Sequence, residues 1–309
     1  MHRAQTFKTA GAGAGKMAAM PPTKDQTSAL SSGDWLRRAA GPDDADGVER
    51  VEAFFRGAAY GAHRHDSYAI GVTMAGVQSF RYRAALRHSV AGRAVVLHPD
   101  EAHDGQAGTD AGFHYRIAYV APELVQQILG GAALPHIDGG VSSDPRLVRA
   151  ARMLLLDFAT PPDPLAQQDA LFDLATALQQ AAPRTARRPQ PAKGDLRAVS
   201  LARDFIHDSL FRRAPDDVRL DGLTLDALAA AAGRDRWSLS RDFRFYLGTS
   251  PHRYVTMRRL ALAKTLLAAG LAPSAAALQA GFADQSHLTR HFVAAFGMPP
   301  GRWLRLQRP

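Results

Sequence analysis

The chain of 309 residues has no cysteine, which removes disulfides, thiolate metal sites and cysteine nucleophiles from consideration and accords with a reducing compartment. It also lacks any run of about 20 apolar residues, the length that spans a bilayer. The Ala/Gly-rich stretch Ala10–Gly15 is broken by Lys16 before an apolar core of signal-peptide length can form. A cytoplasmic protein with no membrane partner is expected. Glutamate is absent from residues 196–309, which hold 17 Arg or Lys, 16 of them Arg, against 9 Asp. Residues 1–195 hold 21 basic against 20 acidic residues, so nearly all of the formal net charge of +9 is C-terminal. Phosphate neutralisation supplies much of nucleic-acid affinity, and Arg suits bidentate contacts. The basic C-terminal part therefore points to a polyanion, with a solvated basic surface as the alternative that motifs must decide.

Composition divides the chain. Residues 1–33 mix Gly, Ala, Ser, Thr, Pro and Lys without periodicity and are expected to be unstructured, or to result from an upstream start with Met17 and Met20 as alternatives. From about Trp35 to Ala121, short apolar or aromatic runs alternate with Gly, Pro and charge: Tyr68–Met74, Gln78–Tyr82, Ala94–Leu97 and Phe113–Val120. In the last of these the odd positions Phe113, Tyr115, Ile117 and Tyr119 are large and apolar, as in a strand with one buried face. A small sandwich or barrel over residues 34–143 follows. Beyond Asp144 the period becomes helical. Pro145–Ala159 aligns Leu147, Ala151, Leu154, Leu155 and Phe158; Leu165–Ala182 aligns Leu171, Leu174, Ala175 and Leu178; and Pro161, Pro162 and Pro164 separate the two. Residues 144–182 thus form an antiparallel helical hairpin whose stripes are buried either on their own chain or in a dimer interface. Residues 183–195, rich in Pro, Arg and Lys, read as a linker.

Residues 196–309 carry a sequence of caps and stops. Asp195 can cap a helix with Ala198, Leu201, Ala202, Phe205, Ile206 and Leu210 inward. Thr224 caps Leu225–Ala232, and Gly233 supplies the left-handed residue of a tight turn. Asp235 caps the next helix, with Leu239, Phe243, Tyr246 and Leu247 inward and Arg236, Trp237, Ser238, Ser240, Arg241 and Arg244 available to a groove. Ser250-Pro251 starts a connecting helix that runs to Ala269, where Gly270 stops it. The plan then repeats: Ser274–Ala280, a turn at Gly281, the cap Asp284, and Gln285–Phe296 with Leu288, Phe292 and Phe296 inward and Gln285, Ser286, His287, Thr289 and Arg290 available. The connecting helix, about 27 Å long at about 1.5 Å per residue, approximates the ~34 Å between major-groove segments on one face of B-DNA.

Together these residues resemble the AraC/XylS regulators. The resemblance covers about Leu223–Arg305 and rests on Ala232-Gly233, Leu239-Ser240-Arg241-x-Phe243, Gly248-x-Ser250-Pro251-x-x-Tyr254, Arg258, Leu262-Ala263 and Leu266-Leu267. It continues through Gly281-Phe282-x-Asp284-Gln285-Ser286-His287-Leu288-x-Arg290-x-Phe292 and Phe296-Gly297-x-Pro299. Two positions depart from the pattern: Ala276 stands where a larger aliphatic residue is usual, and Trp237 near the start of a recognition helix where a small or polar one is usual. The resemblance implies a sequence-specific regulator whose two recognition helices enter consecutive major grooves, usually as an activator. It further implies double-stranded DNA, RNA polymerase and a small-molecule effector as partners, a homodimer through the hairpin, no cofactor and no catalytic residue.

In the β region, His63-x-His65 and His103 have a spacing similar to that of the cupin barrel. Three His can bind Zn or Fe, yet Ala69, Ile70 and Gly71 occupy the stretch where enzymatic cupins add a carboxylate, so no metal is expected. The polar residues His63, His65, Tyr68, Tyr82, His98, His103 and Tyr115 are candidates to line an effector pocket. The expected architecture is α+β: an N-terminal cupin-like β-barrel with a helical hairpin, then a C-terminal all-α domain with two helix-turn-helix units joined by a long helix. A cupin metalloenzyme with a basic appendage and a non-specific DNA binder are the rival readings.

Overall fold

Why a barrel forms follows from strand parity. In β8 (Phe113–Val120), Phe113, Tyr115 and Ile117 turn inward, while Ala118 and Val120 turn to the other face. β8 pairs antiparallel with β2 (Val48–Phe55) and with β4 (Tyr68–Tyr82). β4 also pairs with β6 (Ala94–Leu97), β5 (Ala85–Val90) and β7 (His103–Ala107), so one 15-residue strand serves both sheets. The runs read as two strands, Tyr68–Met74 and Gln78–Tyr82, are therefore one, bent at an irregularity between Thr73 and Ala75 and at Gly76, whose φ is 70°. There a Cβ would lie 2.1 Å from the Gly112 carbonyl oxygen. β1 (Trp35–Arg38) extends the sheet beyond β2, β3 (Ala58–His63) pairs with β7, and the short β9 (Val141–Ser142) edges β6. The computed structural model describes residues 33–39, 48–159, 163–183, 194–211 and 223–306. The expectations for residues 1–32 and for most of the linker lie outside these residues.

The outer face of β4, β6 and β8 is covered by helices. After α1 (Pro122–Ile128), the hairpin α2 (Pro145–Leu154) and α3 (Pro164–Ala181) is capped by the side chains of Asp144 and Asp163. Leu147, Leu154, Leu171, Leu174 and Leu178 pack on Tyr68, Ile70, Val72, Val96 and Val120, so both stripes are buried on their own chain. α2 stops at Leu154 rather than at the expected Ala159. The Arg116 guanidinium, reaching across from β8, donates to the carbonyls of Leu155 and Leu156 and satisfies the helix end.

The C-terminal helices form two small cores. α4 (Leu196–Phe211), α5 (Leu225–Ala232) and α6 (Arg236–Tyr246) close around Ala202, Ile206, Leu239 and Phe243. α8 (Pro273–Gln279), α9 (Gln285–Phe296) and α10 (Pro300–Leu306) close around Leu260, Ala276, Leu288, Phe292 and Trp303. α7 (Pro251–Ala268) runs between them and contributes to both. The expected inward positions Leu201 and Phe205 are exposed, at 41% and 36%. The expected Ala198, Ala202, Ile206 and Leu210 are buried, and Val199 joins them, so the buried stripe of α4 is narrower than expected and leans toward Val199. Ala276 is fully buried among larger residues, which accounts for its small size. Phe296, expected inward, is only partly buried and stands at the edge of its core.

Candidate effector cavity and nucleic-acid interface

The two helix-turn-helix units are set by local chemistry. Thr224 Oγ1 accepts from Ala227 N, and Gly233 closes α5 at φ 59°. The Asp235 carboxylate accepts from Trp237 N and Ser238 N, which starts α6. Buried Asp242 accepts from Arg234 Nε at 2.9 Å and pins the turn to α6. In the second unit, Asp284 accepts from His287 N at 2.7 Å. None of the eleven candidate DNA-contact residues is buried. Arg236, Trp237, Arg241 and Arg244 are exposed on α6, as are Gln285, Ser286 and Arg290 on α9, with Ser238, Ser240, His287 and Thr289 half-buried beside them. Trp237 is 64% exposed, with the Arg236 guanidinium 5.5 Å from its ring centre, so it has no core role. Arg241 donates to Ser238 Oγ and Arg244 to the Ser240 carbonyl, which holds both guanidinium groups against the helix surface. His287 differs from its neighbours, since Nδ1 accepts from Ala283 N and Nε2 lies 3.0 Å from His291 Nε2. Both of its ring nitrogens are committed to the fold.

The seven candidate effector residues separate into two groups. His63, His65, His103 and Tyr115 line a cavity of about 150 Å³ at the barrel mouth. Tyr68, Tyr82 and His98 do not line it. Tyr68 shares the outer face with Ile70 and Val72 and donates to the Pro135 carbonyl. Tyr82 pairs with His98 Nδ1, and His98 Nε2 accepts from Ile137 N. These three hold the chain at Pro135–Ile137 against the barrel.

The cavity has walls from both domains. Val51, Phe55, Leu97 and Ile117 come from the barrel; Met257, Arg258, Ala261 and Lys264 come from α7; Phe296, Met298 and Trp303 come from the second unit. Lys264 Nζ lies 2.8 Å from Glu49 and about 5 Å from the rings of Phe296 and Trp303. Burial alone would raise the Glu49 carboxyl, and the charges of Lys264 and Arg38 hold it below the usual carboxylate range. Arg258 is paired with buried Asp66 at 2.8 Å, Arg253 with Asp100, and Arg203 with Glu123, which also accepts from Tyr254 Oη. Main-chain bonds join Gly61 N to Gly297 O and Arg64 N to Ala294 O. Glu49, Asp66, Arg258 and Lys264 were absent from the sequence-derived set. One signal was available for Lys264, the single Lys in a stretch with 16 Arg.

The three cavity imidazoles are buried, and burial together with their mutual crowding pushes each down to about 3, so they are neutral at neutral pH. Their ring centres are 4.2 Å apart for His63 and His103 and 4.8 Å apart for His65 and His103. Each Nδ1 lies within 2.9 Å of a backbone carbonyl: Gly61 O for His63, Ser67 O for His65 and Glu101 O for His103.

Comparison with known proteins agrees with both halves. A profile described as an AraC-like ligand binding domain matches residues 47–175, and one described as a helix-turn-helix domain matches residues 228–306. The chain is 30% identical over 104 residues to the probable transcription factor PqrA of Proteus vulgaris, covering 33% of this chain and 85% of that one. It is 25% identical over 234 residues to the uncharacterized HTH-type transcriptional regulator YbfI of Bacillus subtilis, covering 73% and 80% respectively. Its fold is similar to that of ToxT from Vibrio cholerae, with 10% identity, 89% and 100% coverage and a TM-score of 0.55. ToxT described as bound to an unsaturated fatty acid matches at 11% identity, 89% and 94% coverage and a TM-score of 0.54. Among the described residues no helix is long and apolar enough to cross a membrane. With a barrel, a hairpin and two capped helix-turn-helix units in this order, and with these relatives, the chain belongs to the AraC/XylS family of effector-responsive, DNA-binding transcription regulators.

Proposed function

We propose that this regulator holds promoter DNA through α6 and α9 and that a small molecule in the interdomain cavity sets how well it does so. The observation that carries this reading is the double duty of α7. The helix that spaces the two recognition helices also supplies Met257, Arg258, Ala261 and Lys264 to the cavity wall. A ligand that favours one placement of α7 against the barrel then shifts the population able to engage two grooves at once. The walls suit a largely apolar effector with one anionic head near Lys264 and Arg258, a class to which the fatty acid of the ToxT complex belongs. The action is activation in contact with RNA polymerase, in the cytoplasm and without catalysis. Exposed Met153, Leu156, Leu165 and Phe172 on the far side of the hairpin leave a surface for a homodimer. The DNA contacts are those of Arg236, Trp237, Ser238, Ser240, Arg241, Arg244, Gln285, Ser286, Thr289 and Arg290.

Mapping bound sites across the genome supplies the operator, and its affinity is then compared between the wild type and Lys264→Ala. Coupled sites typically differ by about 5–150-fold, and a change in that range is expected. Equal affinity contradicts coupling through the cavity.

A further inference from the structure

The geometry points to a divalent transition-metal site formed by His63, His65 and His103, open to the cavity on its fourth side. A backbone carbonyl can only accept, so each Nδ1 that meets one must carry the proton. In a neutral ring the proton on Nδ1 leaves a bare lone pair on Nε2. This is the arrangement in which metal-ligating histidines are held, with the far nitrogen bound to an oxygen that fixes tautomer and ring orientation.

The strands then gather the three rings. β3 and β7 pair so that His63 lies opposite His103, and His65 follows two residues on. One ligand nitrogen from each ring lies within 4.8 Å of the others, all three residues being buried. His65 Nε2 is buried and has no hydrogen-bond partner. One water molecule donates only two hydrogens, whereas a single cation can accept all three lone pairs. Three nitrogens at about 2.0–2.1 Å from one tetrahedral ion stand roughly 3.4 Å apart, so the set closes by up to about 1.5 Å on binding.

No fourth protein ligand is in place among the described residues. Asp66, next to His65, is engaged by Arg258, and the grouping contains only the three histidines. An open coordination position facing a cavity is where an oxygen anion of the effector would bind, and this part rests on the effector reading above. Occupancy also bears on DNA binding, because Gly61 and Arg64 of the His-bearing segment are hydrogen-bonded to Gly297 and Ala294 at the end of α9. A Cβ placed on Gly297 would lie 3.0 Å from His63 Nδ1.

The test uses the full chain, stripped with a chelator and titrated with Co(II) while its visible d–d absorption is followed, then with Zn(II) in competition. One ion per chain and a four-coordinate spectrum are expected. His65→Ala and His103→Ala should each weaken uptake by at least the roughly 10–100-fold that loss of a hydrogen-bond partner to a ligand costs, and His207→Ala on α4 should not. Substoichiometric uptake by the wild type, or uptake unchanged in both cavity variants, overturns the proposal. The wild-type result stands whether or not the variants fold. Operator affinity of the stripped chain, read separately, distinguishes failure of the metal site from failure of the regulator reading.

Discussion

Glu52 shows how much a single buried residue of this fold has to satisfy. It accepts from His114 Nε2 at 3.0 Å, from Arg116 Nε at 2.8 Å and from Arg37. Burial would raise its carboxyl, and these hydrogen bonds override burial and hold it at about 2. A group whose folded pKa lies below its unfolded value stabilises above the unfolded value and loses that contribution as pH falls toward the folded one. Glu52→Gln should therefore lower the thermal midpoint at neutral pH, and its deficit against the wild type should shrink between about pH 5 and about pH 3. A deficit independent of pH contradicts the assignment. At this scale the sequence was least legible. Glu49 and Lys264 meet across 215 residues, and neither belongs to a local pattern. Tyr68 fails as a cavity residue because a β-strand sends alternate side chains to opposite faces, and only the paired sheet shows which face is which; Tyr82 shares the inner cluster with Phe55 and Leu97 but is tied to His98, away from the cavity.

Elements were more legible wherever a cap or stop is a matter of local bonding. Asp235, Asp284, Thr224 and Ser250 all cap the helices that their chemistry predicts, and the connecting helix begins at Pro251 as expected. Ala94–Leu97, read as a short apolar run, and Phe113–Val120, read from alternation, form strands with those bounds. Tertiary bonds defeated the rest, as where Arg116 ends α2 early. The glycines separate local from tertiary effects. Gly233→Ala adds a Cβ that meets nothing within 4 Å, so only its φ of 59° is penalised, by about 1–2 kcal/mol. Gly297→Ala bears a similar penalty and also drives a Cβ to 2.6 Å from the Gly61 carbonyl oxygen. Denaturant unfolding should show the larger loss for Gly297→Ala, with freer proteolysis between barrel and α9. Equal losses would mean that the α9 contact with β3 contributes nothing.

In the whole molecule the rod between the two helix-turn-helix units also faces the barrel. α7 has 18 residues, about 27 Å at about 1.5 Å per residue, and carries cavity residues on the helix that separates α6 from α9. The fold class was legible because each half repeats a local rule: alternation in the barrel, cap and glycine in the helices. The cavity between the halves was not, since it exists only once they meet. Hydroxyl-radical footprinting of the operator with the wild type, Arg241→Ala and Arg290→Ala tests the central claim most directly. Two protected patches per monomer are expected on one face of the duplex, about 10 bp apart. Arg241→Ala should weaken the patch read by α6 and Arg290→Ala the patch read by α9, each by about 1–3 kcal/mol where the contact is to a base. A single patch per monomer, or protection unchanged in both variants, contradicts the account.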